Sequence, residues 1–520
     1  MFHISRSRPP VGGWTRLRPV LRTLALATPA ALGTIAAACA GPAALATADA
    51  APAQAAPQGA CEVAAYRSSG GDAVVLLRAG ERFHYIFLDG RRNWVVSENS
   101  PIRCGPGVVY VERSDGATET WPRTQFRETP TRFVSDGTTF FGRLIEPTDA
   151  SGDRPLVVFA HGSGDAPMAS GERPWPPELD FLVAQGVSVF VFDKRGTGES
   201  EGTFTMNFHR LAKDLVAASA EARRLAAGRF GRFGLFGMSQ GGWVAPLAAE
   251  EAGAEFLLIA VGAVYSPTEE DSEEVFAELR RKGYGEDVIA KARQVTDATG
   301  VVRASLFERG YERLAQVREE YGHEPWFSEI EGEFTGSILK ASEAELRARA
   351  GENKLEIPWS HDAVAVLRSL SIPQLWILAA EDEEAPIHLN IQRLTMLQNE
   401  GKPIQMAIFP NTGHAMIEFY VREDGTRRHT RFPEHLRRLM ADWVKGCLRP
   451  PYGAAEFYPP LREGEGCQTP RHVGTRARTG SRGRGVRHQE CAEPRAGRRS
   501  ENCRGAERLT FHSPSPSGPF

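Results

Sequence analysis

The sequence predicts an α/β protein whose mostly parallel sheet is covered by helices on both faces. Two observations carry that prediction. Six short apolar runs, at 156–160, 187–192, 233–236, 256–261, 374–379 and 404–409, alternate with helical stretches such as 207–227 and 386–399. Continuous apolar runs mark strands buried on both faces, and parallel strands need crossovers between them. The second observation is the long interval from 265 to 360 between the fourth and fifth runs. It is charged, rich in Glu, Arg and Ala, and helical in pattern, so it reads as a helical insertion above the sheet.

Composition sets the outer bounds. A chain of 520 residues suggests about two to four units. With 41% hydrophobic and 24% charged residues it matches soluble globular proteins, which excludes a wholly disordered chain, a collagen-like fibre and a polytopic membrane protein. The 62 basic and 65 acidic residues nearly cancel to −3, so no overall field points to nucleic acid. Seven cysteines are too few for a disulfide scaffold.

Along the chain, residues 1–50 read as an export signal. Arg16, Arg18 and Arg22 precede an uncharged Ala-rich run from Leu24 to Ala48, with A-x-A sites at Ala44/Ala46 and Ala48/Ala50. A membrane anchor is the alternative, but Ala dominance with Pro29 and Pro42 makes the run weakly apolar. Cys39 after Ala36-Ala37-Ala38 loosely resembles a lipoprotein site without the usual Leu. Export to a periplasmic or extracellular space is therefore the expectation. A Pro/Ala/Gln spacer, 51–60, leads into a small β-rich module at 61–126, with runs at 73–78, 83–88, 93–97 and 108–112 and a turn at Leu88-Asp89-Gly90. Cys61 and Cys104 bracket this module, and a bridge between them would brace its small core. The tail, 461–520, is Arg-rich, free of Lys and poor in periodic apolar positions, and is expected to be disordered. Its Cys467, Cys491 and Cys503 have no metal-site spacing.

The chemistry-bearing residues follow the strands of the 131–448 segment. Gly237-Met238-Ser239-Gln240-Gly241-Gly242 lies between the run at 233–236 and a helical stretch, as a nucleophile elbow requires. Small flanking residues permit the tight turn that exposes the Ser239 hydroxyl. His161-Gly162-Ser163-Gly164 follows the first run, where a backbone N–H can face the nucleophile. Ser163 and Gln240 are the expected oxyanion donors through their backbone N–H groups. A serine nucleophile needs a base, and the base needs an orienting acid. Glu381-Asp382-Glu383-Glu384 follows the fifth run and His414 follows the sixth. Asp382 is the expected acid with Glu381 as fallback. His414 is the expected base ahead of His388, which sits at a helix start.

With Phe192-Asp193-Lys194-Arg195-Gly196-Thr197-Gly198-Glu199-Ser200 matching a D-x-R-G-x-G-x-S loop, the chain resembles α/β-hydrolase-fold serine hydrolases over about residues 131–448. It is similar to bacterial carboxylesterases with a helical cap, here 265–360. Ala380 stands where the family commonly has Gly after the acid-bearing strand. The resemblance implies ester cleavage through an acyl-enzyme on Ser239, Asp382 and His414, with no metal or organic cofactor. It implies a small acyl ester as substrate, no nucleic-acid partner and no stable membrane span. A serine peptidase of aminopeptidase type and an acyl-thioester hydrolase remain as alternatives with the same triad. Trp326, Phe327 and Trp359 of the insertion are candidates to line an acyl pocket.

Overall fold

The computed structural model describes residues 61–461 apart from 97–98, 149–152 and 172–174. The export signal, Cys39, the spacer and the Arg-rich tail beyond 461 lie outside the described residues.

The N-terminal module is two antiparallel sheets. β1 (Ala64–Arg67), β2 (Ala73–Ala79), β3 (Arg82–Phe87) and β4 (Arg92–Trp94) form one meander, and β5 (Ile102–Gly105), β6 (Val108–Glu112) and β7 (Thr118–Pro122) the other. Strand alternation sends Val74, Leu76, Phe83, Tyr85 and Phe87 into a core shared with Ile102, Val109, Val111 and Trp121. The opposite face carries Ala65, Ala73, Val75 and Ile86, which pack on Phe181 and Ala184 of the main domain. A disulfide joins Cys61 to Cys104 across 43 residues and ties the two sheets together at this core.

β8 (Phe126–Ser135) and β9 (Thr138–Pro147) form a hairpin that opens the main domain. There follow β10 (Leu156–Ala160), α1 (Pro177–Ala184), β11 (Ser188–Phe192), α2 (Phe208–Leu225), β12 (Phe233–Met238), α3 (Gly241–Ala252) and β13 (Phe256–Ala260). The insertion comes next: α4 (Pro267–Arg281), α5 (Glu286–Ala304), α6 (Tyr311–Tyr321), a 3-10 turn (Pro325–Glu329), α7 (Thr335–Lys340) and α8 (Glu343–Arg347). The chain returns through α9 (Ala363–Ser369), β14 (Gln374–Ala379), α10 (Ile387–Asn399), β15 (Ile404–Phe409), the small hairpin β16 (Phe419–Val421) and β17 (Arg427–His429), α11 (Leu436–Val444) and β18 (Glu456–Tyr458). The nine-stranded sheet has the order β18-β15-β14-β13-β12-β10-β11-β9-β8. Its six central strands are parallel, and β8, β9 and β18 run antiparallel at its margins.

Helices cover both faces. Leu211, Leu215 and Ala218 of α2, Ala245 and Ala248 of α3, Leu367 of α9 and Leu394 and Leu397 of α10 pack on one. Leu179, Leu182 and Val183 of α1 and Leu436, Leu439 and Val444 of α11 pack on the other. Strand β13 is therefore buried along its whole length, and each of its Phe, Leu and Ile side chains contributes about 1.5–3 kcal/mol by leaving water.

Two expectations need correction. The sheet reaches beyond 131–448 at both ends, because β8 starts at Phe126 and β18 ends at Tyr458. β8 is a margin strand with scattered exposed positions, so it lacks the continuous apolar run that marks the central strands. The insertion also has a core of its own. Trp326 is 1% exposed and packs with Tyr321, Ile330 and Phe334 inside it, its indole N–H donating to Glu324 Oε2 at 2.8 Å. Phe327 packs against the same cluster. Trp326 therefore holds the cap together rather than lining a substrate pocket.

Closing a 43-residue loop removes about 4 kcal/mol of chain entropy from the unfolded state. Replacing Cys61 and Cys104 together by Ser should lower the unfolding free energy of the N-terminal module by roughly that amount, read from urea denaturation followed at Trp121. An unchanged midpoint would show that the two sheets hold without the bridge.

Candidate active site

The residues converge because β10, β12 and β13 are neighbours in the sheet and β14 and β15 complete the same edge. Loops leaving the carboxyl ends of parallel strands open into one crevice. Ser239 occupies the turn between β12 and α3 with φ of 51°, a left-handed conformation that costs a side-chain-bearing residue about 1–3 kcal/mol. Its N–H donates to the Ala260 carbonyl at 3.0 Å, and its own carbonyl accepts from Gly242 at 2.7 Å. The flanking glycines are required by close approach. A Cβ on Gly241 would collide with the carbonyl oxygen of Ala160, and one on Gly237 with that of Gly241.

His414, 5% exposed, lies on the loop after β15. Its Nε2 is 3.2 Å from Ser239 Oγ, and its Nδ1 is 2.9 and 3.0 Å from the two carboxylate oxygens of Asp382. An ionised carboxylate only accepts, so in the neutral imidazole Nδ1 carries the proton and Nε2 presents its lone pair to the serine. Asp382 is itself oriented, its Oδ1 accepting from the backbone N–H of Glu384 at 3.0 Å and of Ala385 at 2.8 Å. Glu381 turns away to Arg427 at 3.6 Å, and His388 stands exposed in the first turn of α10. Burial opposes the charged form of His414. The Asp382 carboxylate outweighs it through charge and hydrogen bond, with Glu384 and Glu383 adding their charge, and holds the imidazole well above its ordinary range. Glu384 Oε2 is 3.6 Å from Nε2.

The loop after β10 lies against Ser239. A Cβ on Gly162 would sit 3.4 Å from that of Ser239. Among the described residues, neither Ser163 nor Gln240 gives its backbone N–H to another group. The 193–200 loop is rigidly built: Asp193 accepts from the backbone N–H of Met168, Ala169, Ser170 and Glu199 at 2.7–3.2 Å, and Arg195 pairs with Asp214 at 2.7 and 2.8 Å.

Sequence reasoning passed over several groups here. Lys194, the variable position of the D-x-R-G loop, reaches into the site. From α4, Glu270 and Glu274 crowd toward it. Burial, partly countered by His414, pushes Glu270 well above the carboxylate range, and burial with the charge of Glu270 does the same to Glu274. Their only signal in the sequence is a Ser266-initiated acidic helix start. Trp359, a candidate pocket residue, instead lines a cavity of about 560 Å³ with His209, Leu306 and His361, and none of Ser239, Asp382 or His414 borders it.

Removing the charge of Glu384 by Glu384→Gln should lower the midpoint at which His414 titrates, because that carboxylate favours the imidazolium. The downfield Nδ1 proton resonance reads it. A midpoint that does not move would show that solvent screens this half-exposed group entirely.

Among solved structures, the chain is similar to an esterase from Pyrococcus furiosus at 14% identity, covering 56% of this chain and 83% of that one, with a TM-score of 0.34. It is similar to an acylaminoacyl peptidase from Pyrococcus horikoshii at 16% identity, over 67% of this chain and 51% of that one, with a TM-score of 0.35. A third likeness, at 16% identity and a TM-score of 0.34, is to Est1E of Butyrivibrio proteoclasticus, solved with ferulic acid, over 61% of this chain and 96% of that one. No curated protein matches this chain. The alpha/beta hydrolase family matches residues 157–423, more than half of the chain and the whole stretch from β10 through the elbow and insertion to His414. The chain belongs to the alpha/beta hydrolase family.

Proposed function

We propose that this protein is a serine hydrolase that cleaves carboxylic esters through an acyl-enzyme. The observation that carries the reading is the hydrogen-bonded run from Asp382 through His414 to Ser239, with the serine held at a strained turn. In this reading Ser239 Oγ attacks the ester carbonyl while His414 Nε2 takes its proton. Asp382 holds the imidazole in the required tautomer and stabilises the imidazolium. The carbonyl oxygen becomes an oxyanion facing the backbone N–H groups of Ser163 and Gln240. His414 then protonates the departing alcohol, and a water activated by the same base releases the acid and restores Ser239. Export to an oxidising compartment belongs to the same proposal, supported by the Cys61–Cys104 disulfide.

A second reading, cleavage of aminoacyl amides, is favoured by one observation. Glu270, within electrostatic reach of His414, and Glu274 next to it bring two buried carboxyl groups toward the site, and a substrate ammonium would favour their ionised forms. Glu270→Gln with Glu274→Gln should then lower kcat/KM for aminoacyl p-nitroanilides about tenfold or more and leave simple p-nitrophenyl esters within about twofold. A wild-type chain inert toward the anilides would dismiss it.

For the main proposal, Ser239→Ala and His414→Ala should each lower kcat on p-nitrophenyl esters by about 10⁴-fold or more without loss of the thermal transition. The base works only when neutral. Its pKa is raised, so kcat/KM should climb with pH through the neutral-to-alkaline range and fall as pH drops below it. An active Ser239→Ala variant, or a profile without that acidic fall, would overturn the proposal.

A further inference from the structure

We infer that Lys194 is a positioning residue whose single buried amino group orients the Ser163 arm of the oxyanion site and braces the side chain of Gln240, which carries the other arm; this rests on the serine-hydrolase reading above. Lys194 leaves the carboxyl end of β11 between two anchors, Asp193 with its four backbone donors and Arg195 with its bidentate partner Asp214. The backbone is thus held, and the side chain is 4% exposed. Nζ donates to the carbonyl oxygen of Gly162 at 2.5 Å and to Gln240 Oε1 at 2.9 Å.

The first bond has a consequence set by covalent geometry. The Gly162 carbonyl and the Ser163 N–H are the two ends of one planar trans peptide. Pinning the oxygen on Nζ makes the N–H point the opposite way, and Gly162 lies against Ser239. A donor on the carbonyl also polarises the peptide and strengthens its N–H as a donor. The second bond braces the residue of the other arm through its side chain. Gln240 follows the nucleophile and is 1% exposed, and its Nε2 has no partner among the described residues, so Lys194 alone orients its carboxamide. One side chain therefore ties the loop after β10 to the start of α3.

Burying an ammonium here is costly. Burial draws the Lys194 pKa down to about 7, with Asp165 countering only in part. The neighbouring His161 is kept neutral by its own burial and by the Lys194 charge, so it offers no negative partner. A position needed only for packing would be filled more stably by an apolar chain of the same length. The amine is kept for the two acceptors it holds, and its neutral form still has two N–H groups to give them.

Lys194→Met removes both bonds and retains the length of the stem. Losing one oxyanion donor outright costs about 10²–10³ in kcat, so a donor left free to turn should cost about 10–100-fold. The expected result is that loss in kcat on a p-nitrophenyl ester with KM within about twofold. The rate constant for phosphonylation by a fluorophosphonate should fall by the same factor. So should the affinity for a trifluoromethyl ketone, whose hemiketal oxygen occupies the same place. Gln240→Leu, which cuts one arm at a neutral side chain, should show the same pattern at about 3–10-fold, and it keeps the test open if the Met variant does not fold. A purely structural role would raise KM or lower the melting temperature without tracking ketone affinity, and that outcome overturns the inference. So does a folded Lys194→Met variant with wild-type phosphonylation. A wild-type chain that no fluorophosphonate labels would instead overturn the hydrolase reading, and this inference falls with it.

Discussion

The geometry of the site depends on one close packing, the start of α3 drawn against the end of β10. Gly241 lies under the Ala160 carbonyl, and Gly242 has so little room that a Cβ would come within 2.8 Å of the Gly262 Cα. Helix and sheet approach this closely only because neither position carries a side chain. The approach forces the chain at Ser239 into its left-handed turn, lifts the hydroxyl above the sheet edge and brings the 161–164 loop alongside. The strain of about 1–3 kcal/mol is offset many times over by the apolar strands around it, which are buried on both faces. A soft sheet could not hold such a turn.

From that point the remaining groups arrive by sheet order. β14 and β15 each end in a short loop at the same edge, so Asp382 and His414 reach Ser239 across 143 and 175 residues of sequence without any long-range guidance beyond strand pairing. The acid is selected by local backbone as much as by proximity. Asp382 accepts two N–H groups of its own turn, whereas Glu381 and Glu383 swing out to Arg427.

Legibility in the sequence followed burial. The strands at 156–160, 374–379 and 404–409 coincide with the apolar runs, because a strand covered on both faces has no polar position to blur it. β8 and β18 carry no such run, since β8 has scattered exposed positions and β18 has only three residues. Ser239, Asp382 and His414 could be grouped from the sequence because each sits where a loop leaves a parallel strand. Lys194 and Glu270 could not. A lysine one residue past an aspartate looks like any surface cation until the fold turns it inward, and an acidic helix start looks like ordinary capping until the insertion folds over the site. Trp326 misled for the converse reason: an aromatic in an insertion serves the insertion's own core before it serves a pocket.

The site thus joins a strained serine, a buried histidine whose proton affinity is raised by carboxylates, and a backbone loop tied to a buried lysine. The central proposal is that Ser239 carries the acyl group between two half-reactions. Rapid acid quench of the full-length protein during turnover of a p-nitrophenyl ester, followed by peptide mass mapping, tests that claim most directly. The expected result is one acyl mass increment, confined to the peptide containing Ser239 and absent from Ser239→Ala. Turnover with no acyl-bearing peptide, or the increment on any other residue, would contradict it.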